Sequence, residues 1–294
     1  MMSVRRVVAG CSSIGVAAAL VVLVGCGDTD DNGSGVSSAA VDHAAESLSV
    51  VLDYEAASDA HDLAGSAALL DEEFVFNEPE TTNMSKEDFI EMMGPFVASE
   101  DVGVADVRYF AGGDEVVESH LVWGFGGATR EAPIVEVDLF TVRNGLITSL
   151  RSLYGPPDFT RRNGLVLPTE VLDAYVEAWS SSDPATIESL YAETANRSES
   201  LYGVDLHGPE EISRSAASFH QRHPDASLSI VEPYVFGHHD RGPAPTIGAV
   251  FSLIDSAGCN VQYLVLLDSD DSGAITSERV YYDLETVQTC GWQR

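Results

Sequence analysis

The residues able to do chemistry in this 294-residue chain are four cysteines, eight histidines and 47 carboxylates, set against only 15 basic side chains. The histidines cluster twice, as His220-x-x-His223 and as His238-His239-Asp240. The first pair shares one helix face until Pro224 ends the helix, and the second lies in a Gly/Pro-rich loop, where polar residues are ordinary. Neither pattern specifies a third and fourth ligand, so no metal and no cofactor is expected from them. Among the acids Asp138 stands out: Val135, Val137 and Leu139 flank a charge inside a strand pattern. Alternation puts Glu136, Asp138 and Phe140 on one face, which a solvent-facing acid pair would also explain. No nucleophile elbow, phosphate-binding Gly loop or Cys-x-x-Cys motif is present.

The formal net charge is 15 − 47 = −32. Phosphate would be repelled across the whole surface, so nucleic acid is excluded as a partner of the usual kind. Electrostatic docking on anionic lipid is disfavoured equally. Lys86 is the only lysine, a bias that fits either a GC-rich genome or adaptation to salt.

The N-terminus carries a targeting pattern. Arg5 and Arg6 precede an apolar run from Val7 to Val24, and the run ends in Leu23-Val24-Gly25-Cys26. A basic start, an apolar stretch and a small residue before a cut site describe an export signal. The last four residues resemble the lipobox of bacterial lipoproteins, which implies cleavage before Cys26 and acylation there. Two or more acyl chains hold a protein stably on a membrane. The expected location is therefore extracytoplasmic and membrane-anchored, with the mature charge 13 − 47 = −34 over 269 residues. Residues 26–43 read as a flexible acidic tether. Cys11 leaves with the signal and Cys26 takes lipid, so Cys259 and Cys290 remain as an even pair in an exported protein. The expected disulfide closes a loop of about 30 residues, worth roughly 3 kcal/mol in the chain-entropy account.

The rest of the chain is one unit written twice. At an offset of 121, Tyr54 meets Tyr175, Asp62 meets Asp183 and Leu69 meets Leu190. Further on, residues 145–154 meet residues 273–282 with six of ten positions identical. The expected organisation is a first domain at 44–155, a linker at 156–165 containing Pro156-Pro157, and a second domain at 166–294. Each copy opens with helical spacing, at Ala44 to Ser58 and from Pro168 through Trp179, and continues as helix from Asp62 to Leu70 or after Asp183-Pro184. A short third helix starts at Ser85 or Gly208. Four alternating strands follow, at 104–110, 115–123, 134–142 and 146–154, with counterparts at 227–235, 247–254, 261–267 and 274–282. Helices followed by an antiparallel meander mean an α+β fold, with N-terminal helices packed on a curved sheet in each of two tandem cone-shaped domains.

This order resembles the nuclear transport factor 2-like fold, in its SnoaL-like and ketosteroid isomerase branch. The resemblance is carried by Ser58-Asp-Ala-His-Asp62-Leu, by Ser180-Ser-Ser-Asp183-Pro and by Val142-Arg-Asn-Gly145-Leu-Ile147. It implies a Tyr and a protonated sheet Asp as oxyanion donors, with a carboxylate beyond the second helix moving the proton. Tyr54, Asp138 and Glu78 (in Phe76-Asn77-Glu78-Pro79) match those places in the first copy. His120, Trp123 and Tyr154 are expected to line the same pocket, while His61 in the helix break is expected to be exposed. The second copy departs from the pattern. Tyr175, Tyr191 and Tyr282 match, and Trp179 adds to an aromatic-rich interior, but Glu199 precedes no proline and Gln262 or Tyr263 replaces the sheet Asp. Those four aromatics line either a stacking pocket or a filled core.

The leading expectation is a lipid-anchored protein that binds a small hydrophobic molecule or serves as an accessory module, its two copies paired as an internal pseudo-dimer. The alternatives are a ketosteroid isomerase-like proton-transfer enzyme working in the first copy and a structural protein of the cell envelope.

Overall fold

In the computed structural model, the structure describes residues 38–78, 81–99, 101–124, 128–154, 169–181, 183–236, 246–255, 257–270 and 272–290. The signal segment, Cys26, most of the tether, the linker at 156–165 and His238-His239-Asp240 lie outside these residues.

The first half opens with α1 (Ser38–Asp59), which buries Ala44, Ser47, Val51 and Tyr54, a stripe at helical spacing that faces the sheet. His61 follows with φ 59°, breaking the helix, and Asp62 caps α2 (Leu63–Ala68) by accepting from Gly65 N at 2.9 Å. A Cβ on Gly65 would fall 2.5 Å from the Asp62 carboxylate, so the cap requires glycine there. Next come β1 (Leu70–Asn77), the two-residue β2 (Met84–Ser85) and α3 (Lys86–Val97). Ser85 caps α3, accepting from Asp88 N and donating to the Asp88 carboxylate. The meander is β3 (Gly103–Gly112), β4 (Glu115–Trp123), β5 (Ile134–Arg143) and β6 (Leu146–Tyr154). Asn144 and Gly145 both have positive φ in the β5–β6 hairpin, as a primed two-residue turn demands.

The second half repeats the order: α4 (Thr169–Ser181), α5 (Pro184–Glu188), β7 (Tyr191–Glu199), β8 (Val204–His207), α6 (Gly208–Arg222), then β9 (Ser227–Phe236), β10 (Thr246–Ile254), β11 (Asn260–Ser269) and β12 (Ile275–Tyr282). It ends in α7 (Leu284–Cys290), an element the sequence pattern did not suggest. Cys290 at its end pairs with Cys259 ahead of β11, with Cα atoms 5.6 Å apart.

The antiparallel expectation needs one correction. β1 runs parallel to β6, and β7 runs parallel to β12, so the sheet is mixed. Both parallel strands were missed because Asp71-Glu-Glu73 and Glu193-Thr-Ala-Asn-Arg197 interrupt the alternation that announces a strand, and the second helix stops at Ala68 instead of continuing to Leu70. The strand order is β2-β1-β6-β5-β4-β3-β12-β11-β10-β9, with β7 pairing with β12 off this path and β8 pairing with β7.

The sheet is buried on both faces. Val116 and Phe140 join Val51 and Tyr54 in the cluster beneath the helices. On the other face Phe110, Val117, Val137 and Leu153 pack with Val250, Leu264, Leu266 and Tyr281 of the second half. Each such side chain taken fully out of water contributes roughly 1.5–3 kcal/mol. Among the described residues no helix is long and apolar enough to cross a membrane.

Candidate active site: a polar-ended cavity in the first half

A cavity of about 390 Å³ lies between α1, α3 and the inner face of β1, β4, β5 and β6. Its apolar wall includes Phe76, Phe89, Met92, Met93, Phe140 and Leu150. Its polar end is a grid set by strand pairing. Glu118, Asp138 and Ser152 sit side by side across β4, β5 and β6, and His120, Glu136 and Tyr154 form the next row. Residues two apart on a strand share a face, so both rows point inward together. The face of Glu136, Asp138 and Phe140 is therefore the cavity face and not a solvent-facing acid pair.

Tyr54, Glu78 and Asp138 all line this one cavity, as do His120 and Tyr154. Tyr154 donates its hydroxyl to Glu78 Oε2 at 3.0 Å, and Ser152 donates to Asp138 Oδ1. His120 Nε2 lies 3.3 Å from Glu136 Oε2. Its Nδ1 is 3.0 Å from Glu118 Oε1, a charge contact off the hydrogen-bonding line. His61 is exposed, at the cavity rim.

Burial, reinforced by Glu136 and Glu118, pushes the Asp138 carboxyl well above the usual range and favours the neutral acid, against the opposing pull of His120 and Ser152. Burial and Glu55 likewise raise Tyr54 and keep its phenol protonated. Glu55 is itself raised, by burial and then by Glu118 and Asp138. For His120 burial works against the cation, but Glu118, Glu136 and Asp138 outweigh it and raise the imidazole. The cavity therefore offers protonated donors and an imidazolium beside an apolar wall. A polar group of a bound molecule would meet the donors while its hydrocarbon faced the wall.

Three expected pocket residues are elsewhere. Trp123 lies outside the cavity lining, because strand alternation turns it to the face opposite His120 and Val122; its ring presses on Gly103, where a Cβ would come within 2.3 Å, and Arg130 sits 5.8 Å over it. Tyr175 and Tyr191 line no void; they are buried in the second half, donating to Glu278 Oε1 at 2.8 Å and to Glu278 Oε2. Trp179 and Tyr282 do border a space, but it measures only about 50 Å³, room for a few waters at most.

Strand register shows why the halves differ. Counting back from Gly145 and Gly273, Tyr154 pairs with Glu136, whereas Tyr282 pairs with Tyr263. Val265 thus stands where Asp138 does, correcting the expected Gln262 or Tyr263, and Phe251 and Ala249 replace His120 and Glu118. Conversely the apolar pair Phe76–Leu150 becomes Arg197–Glu278. The Arg197 guanidinium fills the second interior, donating to Glu199 at 2.7 and 3.0 Å and to Glu278 while lying 4.2 Å over Trp179. Tyr282 completes Glu199 at 3.1 Å. Burial opposes the charge on Arg197, and Glu278 and Glu199 restore it. The second interior is a satisfied polar plug.

Sequence reading missed Glu55 and Glu118 as cavity residues. Glu118-x-His120, two polar residues at strand spacing within Val116-Val-Glu-Ser-His-Leu-Val122, was the available signal.

Among known proteins, residues 51–150 match the model of the SnoaL-like domain family. No curated protein matches. Solved structures similar to this chain include a nuclear transport factor 2-like protein from Cytophaga hutchinsonii, 21% identical over 37% of this chain and 90% of that one, with a TM-score of 0.33. A second is a protein of ketosteroid isomerase-like fold from Catenulispora acidiphila in complex with trimethylamine, 25% identical over 41% and 90%, with a TM-score of 0.34. A third, nuclear transport factor 2-like, from Mesorhizobium loti, is 16% identical over 44% and 97%, also at 0.34. The family match falls on the helices and strands that enclose the cavity, so residues 51–150 are similar to the SnoaL-like domain, in a chain of nuclear transport factor 2-like α+β fold.

Proposed function

We propose that the first-half cavity binds a small, largely apolar compound through a carbonyl or equivalent polar head. One observation carries this: a cavity of about 390 Å³, within the range of small-molecule sites, combines a hydrocarbon wall with the polar rows of β4, β5 and β6. The polar end presents Tyr54 and Asp138 as donors, and the second half supplies no equivalent because Arg197 occupies its interior.

A second reading, proton transfer on the bound compound, is favoured by the convergence of Tyr54, Glu78 and Asp138 on that space. Glu78 would take a proton from the carbon beside the carbonyl, Tyr54 and Asp138 would donate to the enolate oxygen, and Glu78 would return the proton at a second carbon. Both readings are tested with a panel of hydrophobic β,γ-unsaturated ketones, scored for binding by native mass spectrometry and for conjugation by ultraviolet absorbance. Turnover that falls about 10²–10³-fold in Tyr54→Phe or Asp138→Ala is the expected result of losing an oxyanion donor. Binding with no turnover leaves the cavity as a binding module, and no binding at all removes both readings.

The N-terminal pattern supports a lipid-anchored, extracytoplasmic location for this domain. Cys26→Ser is expected to abolish incorporation of labelled palmitate and to release the protein from the membrane fraction. Undiminished labelling in that variant would reject the anchor at Cys26.

A further inference from the structure

We infer that the polar end of the first-half cavity is a site for a divalent transition-metal ion, held by His120 Nε2 and the carboxylates of Glu136 and Asp138. One ligand atom from each of these residues lies within 4.8 Å of the other two. The inference shares its location with the proposed binding cavity but needs neither a ketone nor turnover, and an ion would take Asp138 as carboxylate and His120 as neutral imidazole by displacing the protons they hold in the metal-free protein.

Four observations carry it. The first is geometry: His120 Nε2 and Glu136 Oε2 are 3.3 Å apart, long for a charge-assisted hydrogen bond of about 2.7–2.9 Å. Bonds of about 2.0–2.1 Å at tetrahedral angles put two ligand atoms about 3.3–3.4 Å apart, which is this separation. Asp138, on the same face of β5 as Glu136, brings a carboxylate oxygen within 4.8 Å of both.

The second is the support behind the histidine. Metal-bound imidazoles hold their other nitrogen against a carboxylate or carbonyl, fixing which nitrogen meets the ion. Glu118, with 3% of its side chain exposed, places Oε1 3.0 Å from His120 Nδ1, a charge contact that a small turn of the ring would align as such a support, and Nε2 lies on the side of Glu136.

The third is charge. Glu55, Glu118, Glu136 and Asp138 line one cavity with His120 as the buried imidazole among them, His61 lying exposed at the rim. Glu118 Oε2 is buried with no hydrogen-bond partner. A buried carboxylate oxygen left this way is costly unless a cation compensates it, and a dication at the centre of the group does so.

The fourth is the contrast between the halves. The corresponding positions of the second half are Phe251, Tyr263 and Val265, with Ala249 for Glu118, so the donor set is absent as a unit where the interior is plugged. One imidazole with two carboxylates suits a borderline ion such as Zn²⁺, and three protein ligands would leave a coordination position facing the apolar wall. An ion there would act as a Lewis acid toward the head group of a molecule in the cavity.

The test is calorimetric titration of the chelator-treated full chain with Zn²⁺. The expected result is one ion per chain, with affinity reduced at least tenfold in the near-isosteric Glu136→Gln and Asp138→Asn. Glu118→Gln should lower affinity about 10–100-fold with stoichiometry unchanged, as loss of an outer carboxylate does. His220→Ala/His223→Ala should bind as wild type. Zinc-edge absorption of the wild type should report one nitrogen and two or three oxygens at about 2.0–2.2 Å; this decides the matter if a variant fails to fold. No zinc binding, loss of binding in the His220/His223 variant, a multi-imidazole spectrum, or tetramethylammonium binding in place of zinc would each overturn the site. Ketone binding to the chelated protein is scored separately, so the cavity proposal and the metal site fail independently.

Discussion

At the residue scale, one scaffold has been given two opposite interiors by a few exchanges. Asp138 and Ser152 face each other across β5 and β6, where the second half pairs Val265 with Val280. Phe76 and Leu150 are exchanged for Arg197 and Glu278 at the matching rung of the parallel pair. The first set keeps a hollow with polar groups at one end, and the second ties its polar groups to one another. Arg197 is the key of that plug, because Glu199 and Glu278 are both fully buried. Removing one partner of a buried ion pair typically costs about 3–5 kcal/mol. Arg197→Met should lower stability by about that much in urea unfolding. Adding Glu199→Gln and Glu278→Gln, which removes the stranded charges, should recover at least half of the loss. A single-variant cost below about 1 kcal/mol would show that the network is not what holds the second interior closed.

At the element scale, local chemistry fixed most boundaries. The Asp62 and Asp183 caps, the first-turn Pro184 and the Asn144-Gly145 turn all act within a few residues, so they were readable in the chain. β4 and β6 begin and end where alternation places them. β1 and β7 were not readable, because a parallel strand owes its place to a partner some seventy residues away along the chain, and its exposed acids hide its period. The Cys259–Cys290 link pins α7 to the start of β11 across a separation of 31 residues. Reduction and alkylation should lower the free energy of unfolding by about 3–4 kcal/mol, with a mass shift on alkylation seen only after reductant. A shift without reductant would mean that the thiols are free.

At the scale of the whole molecule, the two halves of the sheet bury their outer faces against one another. Phe110, Val117, Val137 and Leu153 meet Val250, Leu264, Leu266 and Tyr281, and Tyr281 donates to Glu115 at 3.1 Å. The full chain should therefore unfold in one transition by fluorescence and by circular dichroism. Residues 38–154 alone would expose a contiguous apolar face and should self-associate or show a lower urea midpoint. A monomeric fragment with the full chain's midpoint would show that the shared cluster adds nothing to stability. The charge of −32 acts at this scale too, as mutual repulsion spread over the whole surface that favours solubility.

The sequence by itself determined the repeat, the leading helices and the antiparallel meander of each copy, the helix caps and hairpin turns, and the cysteine pair, because each is written in local spacing or in self-similarity, while the family resemblance singled out Tyr54, Glu78 and Asp138. Only the tertiary structure decided which interior is hollow. That choice depends on which side chains meet across strands: Phe76 beside Leu150 leaves room, whereas Arg197 beside Glu278 fills it, and no single residue shows this until the register is known. Glu118, His120, Glu136 and Asp138 become one group for the same reason. They lie on two strands, and only the ladder between those strands brings them together.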